Sequence, residues 1–275
     1  MENSEELCRK AYILKNLDNL DTWIGDIVHR VIKWILESKI SASTNSLPTS
    51  LFEKNKDISL EEALSRAKKM LKMTWEQSRS QAWRNSVKSN LNLFEHYYKY
   101  PLSNRELKPR LHKVIQSIKN LYAWGLVDSF SRLPKENFLR IDELDSFELE
   151  GVKIFAIPDF ALHNEEYLLY DWKTGKPHDK DVLQLSCYAL YAINKWKAQP
   201  KDIKIIPVYL TEEECSCSPI APLDVESVAK YIRDSVEQMR SILSDVKNNK
   251  ADATLCVKTE NPRRCGNCRF KEICE

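Results

Sequence analysis

At 275 residues, 43% hydrophobic and 30% charged, the chain has the size and balance of one large soluble domain, or of a core with a sizeable insertion. No apolar run reaches bilayer length, and Met1-Glu2-Asn3-Ser4-Glu5-Glu6 does not read as a signal peptide, so membrane roles are set aside and a cytoplasmic location is expected. The net charge of +2 conceals a segregation: residues 63–120 hold thirteen Lys/Arg against three Asp/Glu, whereas residues 121–172 hold four against eleven. A basic segment beside an acidic one suits action on a phosphate backbone, although a Lys-rich helical face reads equally well as solvated surface.

In chain order, Leu17 to Ser38 has helical periodicity, with Trp23, Ile27, Val31, Trp34 and Ile35 on one apolar stripe. Residues 41–50 read as a polar loop. From Leu60 to about Leu126 the period is again helical, with breaks expected at Pro101 and Pro109. Residues 41–130 therefore read as a helical insertion or cap. Its cations Arg66, Lys68, Lys69, Lys72, Arg79, Arg84 and Lys88 are candidates for a DNA phosphate track. Trp75, Trp83, Tyr97, Tyr98 and Tyr100 could stack on unpaired bases, with most of them expected in the core. Arg140–Glu150 and Val152–Thr174 are strand-rich, Lys180–Ala198 is helical, Ile203–Leu210 is a strand and Leu223–Lys247 a long amphipathic helix. This order predicts a mixed α/β core decorated by helices. The divisions expected are 1–40, 41–130, 131–250 and a cysteine-rich module at 251–275.

The strand-rich region carries Pro158-Asp159 and, twelve positions after the aspartate, Asp171-Trp172-Lys173. Val152–Leu162 and Tyr167–Thr174 read as two strands joined at Asn164-Glu165-Glu166. A hairpin centred on Glu165 sets Asp159 opposite Asp171, with Lys173 on the same face because side chains alternate. Two such carboxylates can hold a divalent cation, and the lysine can orient a water or offset charge in a phosphodiester transition state. Gln184 and Tyr188 lie one turn apart on the following helix. Taken alone they read as a surface glutamine and a buried tyrosine.

Eight cysteines in a cytosolic chain point to metal or cluster ligands more than to disulfides. Cys265-Gly-Asn-Cys268 and Cys274 form C-x2-C-x5-C near one terminus, and Cys8 lies near the other. Four thiolates suit Zn2+ as readily as a [4Fe–4S] cluster, and spacing does not separate the two. Cys256 is a spare neighbouring thiol, Cys187 reads as buried, and Cys215 with Cys217 as part of a loop.

Together, Gly25-x-x-x-His29, Pro158-Asp159, Asp171-x-Lys173 and Gln184-x-x-x-Tyr188 resemble the ordered motifs of the RecB-like branch of the PD-(D/E)xK nucleases. With Cys8 and the C-terminal trio, the chain resembles the branch whose termini are stapled by an iron–sulfur cluster: AddB-type nuclease domains and CRISPR-associated RecB-like exonucleases. The resemblance runs from Cys8 to Cys274 and leaves residues 42–130 without motifs. It implies a restriction-endonuclease-like mixed sheet flanked by helices, with a helical insertion and a C-terminal cluster module. It implies Mg2+ or Mn2+ on His29, Asp159, Asp171 and the Trp172 backbone carbonyl, with Lys173, Gln184 and Tyr188 as further catalytic residues. It favours [4Fe–4S] over Zn2+ on Cys8, Cys265, Cys268 and Cys274.

The function implied is an exonuclease on single-stranded or frayed DNA ends, in DNA repair, antiviral defence or CRISPR adaptation. The alternative is a non-catalytic DNA-binding subunit, or one active only beside a helicase or an integration complex. No G-x4-G-K-[ST] loop occurs, so any unwinding would come from a partner.

Overall fold

The structure is a computed structural model that describes residues 4–42, 57–141, 144–156, 158–215, 217–220, 222, 224–255 and 257–274. The helices are α1 (Ser4–Lys15), α2 (Leu20–Ala42), α3 (Leu60–Arg79), α4 (Phe94–Tyr97), α5 (Asn104–Ala123), α6 (Leu126–Ser131), α7 (Asp179–Trp196), α8 (Val225–Ser241), α9 (Pro262–Gly266) and α10 (Lys271–Cys274). The strands are β1 (Phe138–Ile141), β2 (Ser146–Leu149), β3 (Val152–Phe155), β4 (Phe160–Asn164), β5 (Glu166–Lys173), β6 (Ile203–Tyr209), β7 (Leu243–Asp245) and β8 (Lys250–Ala251). They fall into two compact units, one built from residues 1–23, 72–102 and 230–275, the other from 24–71 and 103–229.

The second unit contains a four-stranded mixed sheet in the order β1-β4-β5-β6. β4 and β5 form an antiparallel hairpin in which Phe160 opposes Tyr170 and Asn164 opposes Glu166, the register expected for a turn at Glu165. Glu165 takes a left-handed φ of 65° to close it. β6 lies parallel to β5, so the chain crosses over through α7. Trp172 is 2% exposed and meets Phe130, Phe160 and Tyr170, which puts its indole in an aromatic core. Ile27, Val31 and Ile35 of α2 are fully buried, while Trp34 is only half-buried beneath the Arg66 guanidinium, 4.3 Å from its ring.

Three local expectations need correction. Val152–Leu162 is not one strand: β3 pairs with β2 in a separate two-stranded sheet, and the chain leaves it before entering β4. Pro158, with no N–H to give a ladder, stands at that break. Pro109 does not end a helix, because α5 runs through it. It lies in the second turn, where the Arg105 carbonyl it leaves without a donor is on an exposed residue open to water, and the Ser103–Glu106 capping box closes the end. The helix predicted over Leu223–Lys247 stops at Ser241 and is followed by the β7–β8 hairpin, turning at Asn249 with a left-handed φ of 50°.

The first unit is held by aromatic and backbone contacts around Leu93. Asp18 bridges to Leu93, and Trp23 donates its indole N–H to the buried Thr74 hydroxyl at 2.9 Å. The tail is fastened by side chains of the Phe94–Tyr100 segment. Tyr97 donates to the Glu272 carboxylate, Tyr98 to the Arg269 carbonyl and Tyr100 to the Gly266 carbonyl.

Candidate active site

All of the predicted metal and catalytic positions lie in the second unit, on α2, the β4 entry, β5 and α7. Asp159 stands just before β4 and is buried. Its Oδ2 accepts the Trp172 backbone N–H at 2.7 Å, which locks the carboxylate to β5 at the point where the ladder ends. Asp171 is 2% exposed. Lys173, two residues along β5, sets its ammonium 2.7 Å from Asp171 Oδ2. That oxygen is buried, and the Lys173 ammonium is the one partner beside it among the described residues.

His29 reaches the same carboxylates from α2. Nε2 donates to the Trp172 carbonyl at 2.7 Å, and Nδ1 lies 3.2 Å from Asp159 Oδ1. With an oxygen acceptor on each nitrogen, the ring is held as an imidazolium. Burial is the largest single influence and opposes that charge, but the Asp159 hydrogen bond and charge, the Asp171 charge and the Trp172 carbonyl outweigh it, and the pKa rises to about 9. Asp171 is displaced upward as well, first by burial and then by Asp159, with Lys173 and His29 opposing. Gly25, one turn before His29, would accept a Cβ at ordinary contact distance from the Thr174 hydroxyl, so this glycine is not sterically required.

The helix after β5 supplies a chain of hydrogen bonds. Lys173 donates to Gln184 Oε1 at 3.0 Å, Gln184 Nε2 donates to the Tyr188 hydroxyl at 3.1 Å, and that hydroxyl reaches Asp171 Oδ1 at 3.4 Å. Burial and the two aspartates push the Tyr188 pKa well up, which keeps it a neutral donor. Asp181, together with Tyr209 and the His178 backbone, joins the cluster although none of them was singled out from the sequence. Asp181 sits 4.0 Å from the Lys173 ammonium, and its Oδ2 accepts from the Tyr209 hydroxyl at 2.9 Å and the His178 N–H at 3.1 Å. The signal for Asp181 was available: it precedes Gln184 by three and Tyr188 by seven, so all three share a helix face. Beyond Lys173, Thr174 opens an exposed cavity of about 880 Å3 that also takes in Lys113, Lys176 and Glu212.

The predicted phosphate-track residues are all exposed, with Arg66, Lys68 and Lys69 in the second unit and Lys72, Arg79, Arg84 and Lys88 in the first. Of the aromatics, Trp83 is buried, Trp75, Tyr97 and Tyr98 are half-buried, and Tyr100 is exposed. Cys8, Cys265, Cys268 and Cys274 are free thiols within the first unit. The Arg269 guanidinium donates to the Lys15 carbonyl at 2.8 Å, and Lys10 lies 4.0 Å from Glu272, so the tail is tied to the helix that bears Cys8. Among the described residues no three His, Cys, Asp or Glu side chains are gathered into a formed metal cage. Against the general expectation for cysteines, Cys215 and Cys217 form a disulfide. Cys187 is half-buried rather than buried, and Cys256 lies outside the described residues.

A family model described as the PD-(D/E)XK nuclease superfamily matches residues 4–275. The chain belongs to that superfamily, and its mixed sheet with flanking helices is the restriction-endonuclease-like fold. No curated protein matches the sequence. Among solved structures, the one described as "Crystal structure of SSO0001" is 18% identical, with a TM-score of 0.32 over 66% of this chain and 78% of that chain.

Proposed function

We propose that this member of the PD-(D/E)XK nuclease superfamily is a metal-dependent deoxyribonuclease, an exonuclease acting on single-stranded or frayed DNA ends. The observation that carries this reading is the convergence of His29, Asp159, Asp171 and Lys173 at hydrogen-bonding and ion-pairing distance.

The donor set suits a hard divalent cation. Two carboxylates and a backbone carbonyl favour Mg2+, and one imidazole makes Mn2+ more favourable. What supports the fit is Asp171, a buried acid whose Oδ2 has only the Lys173 ammonium beside it among the described residues and whose pKa burial displaces upward. His29, Asp159, Asp171 and the Trp172 carbonyl would hold the ion. Bound there, it would polarise the phosphate and acidify a water.

The side chains do the rest. His29 must first release a proton, since its present partners hold both nitrogens protonated. Lys173 donates to the attacking water or to a phosphate oxygen and offsets the charge that develops there. Gln184 fixes the direction of that ammonium, and Tyr188 fixes Gln184 while donating to Asp171. Asp181 gives Lys173 a second carboxylate to lean on once Asp171 is engaged.

The same proposal gives Cys8, Cys265, Cys268 and Cys274 to a [4Fe–4S] cluster, with Zn2+ as the lesser alternative. Four free thiols in one unit, with the tail tied to α1, support it in donor chemistry and placement. Repair, defence or CRISPR adaptation would supply the substrate ends, with a helicase or integration complex as partner.

The test is cleavage of end-labelled single- and double-stranded DNA by anaerobically purified protein with Mg2+, Mn2+ or EDTA, beside Lys173→Ala. Metal-dependent degradation that falls by at least about a hundredfold in the variant is expected. DNA binding with no cleavage in either metal would overturn the enzyme and leave a binding subunit.

A further inference from the structure

The first unit holds a cavity of about 310 Å3 that the chemistry above does not use. Ser78, at 1% exposure, is its most deeply buried lining residue. The Ser78 hydroxyl accepts the Leu93 N–H at 2.9 Å and meets His96 Nδ1 at 2.8 Å. It makes no other hydrogen bond among the described residues, so its proton goes to Nδ1, and the imidazole proton sits on Nε2. Burial, then the Arg79 charge, lowers the His96 pKa, leaving a neutral ring that donates.

Three cations line the same cavity, and of them Arg79 is already paired to Glu76 through its Nε and Nη2 at 3.1 and 2.9 Å, which leaves Arg84 and Lys99 facing a ligand. Arg84 is oriented twice, over the Trp83 ring at 5.1 Å and through its Nε–H to Gln81 Oε1 at 2.7 Å. The lining includes one carboxylate, Glu272, which already accepts from Tyr97. Gln81 and Lys99 both hold left-handed backbone, with φ of 58° and 56°, uncommon for residues with side chains. Aromatic walls, several donors and excess positive charge in this volume match a phosphorylated nucleoside. The Arg84 guanidinium and the Lys99 ammonium take the phosphate, and the half-buried Tyr97 and Tyr98 side chains line the wall beside the base.

We infer that the first unit carries a binding site for a phosphorylated nucleotide at the end of a DNA strand. The inference rests on the nuclease reading only for the choice of DNA over a free nucleotide. It differs from a general phosphate track, which would not distinguish a phosphate end from a hydroxyl end.

The experiment measures fluorescence anisotropy of the full chain in EDTA, with oligonucleotides of one sequence ending in 5′-phosphate, 3′-phosphate or hydroxyl. One phosphorylated end should bind at least about tenfold tighter, the scale of a charge-assisted contact. Arg84→Gln with Lys99→Gln should erase that preference while the circular dichroism spectrum is kept, since both side chains are exposed. Equal affinity for all three ends, or a preference that survives the double variant, overturns the site. Competition by a deoxynucleoside monophosphate at strand-like concentration overturns the assignment to DNA ends. Because EDTA stops metal-dependent hydrolysis, failure here is separate from failure of wild-type cleavage.

Discussion

The Lys173 ammonium has three partners: it is ion-paired with Asp171 at 2.7 Å and Asp181 at 4.0 Å and donates to Gln184 at 3.0 Å. A cation taken up by Asp171 would repel it toward the other two. Asp181 is therefore a positioning residue, and Asp181→Asn should lower kcat by about tenfold with KM nearly unchanged, while Asp181→Glu restores most of it. A rise in KM at constant kcat would sink that role. The pH behaviour follows from His29. Its folded pKa, about 9, lies above the ordinary 6.5, so in EDTA its contribution to stability is complete below pH 6.5 and lost as pH rises through 9. Asp171, raised to about 6, disfavours the folded state as it ionises in the lower window between about pH 4 and 6, so the fall above pH 6.5 belongs to His29. The Tm in EDTA should accordingly fall between pH 6.5 and 9. If His29 is a ligand, Mn2+ must displace its proton, and the apparent affinity should climb by up to about tenfold per pH unit over that window. Calorimetry on His29→Asn should flatten the climb; an unchanged slope would remove His29 from the ligand set. The motif residues were legible because they come in short local pairs, Gly25 with His29, Pro158 with Asp159, Asp171 with Lys173 and Gln184 with Tyr188. Asp181 lies eight residues past Lys173 and joins the cluster only because α7 folds back beside β5 and β6.

Among the elements, the β4–β5 hairpin could be read from arithmetic, since a tight turn at Glu165 leaves one register that buries Phe160, Leu162 and Leu169. The division of β3 from β4 was less visible. Apolar residues dominate Val152–Leu162, with the continuous run Ile154-Phe155-Ala156-Ile157 in its middle, and Pro158 was the local warning. The β2–β3 hairpin, with Glu150 and Gly151 both at positive φ, makes a two-residue turn of the primed type that a Glu-Gly pair does not advertise. Long-range polar contacts were not legible at all. Asn120 of α5 is buried and donates to the Leu210 and Glu212 carbonyls, both at 2.9 Å, while accepting from Gln116. It fixes the turn that follows β6 beside the active-site sheet. Asn120→Ala would leave two carbonyls short of a donor and should cost about 1–3 kcal/mol, read as a lower urea midpoint at constant slope. An unchanged midpoint would mean that water replaces both bonds.

At the scale of the molecule, the first unit is assembled from residues 1–23, 72–102 and 230–275, so the two ends of the chain share one packed body. The cost of bringing such distant segments together grows only with the logarithm of the loop, and a few strong ties can offset it. Those ties are visible: Arg269 to Lys15, Tyr97 to Glu272, Tyr98 to Arg269, and the Lys271 ammonium 3.9 Å from the Tyr98 ring. Each of these contacts on the tail falls within the span bounded by Cys265 and Cys274. If Cys8, Cys265, Cys268 and Cys274 share a cluster, it closes the same path covalently, and its loss should loosen α1 and the Phe94–Tyr100 segment together. Cys8→Ser with Cys268→Ser should therefore remove absorbance near roughly 400 nm. Amide exchange should quicken over Ser4–Lys15 and Phe94–Tyr100 in the same sample. Loss of the absorbance with exchange unchanged would leave the hydrogen bonds as the whole fastening and take the structural role away from the cluster. Retention of the absorbance would show that other ligands hold the iron.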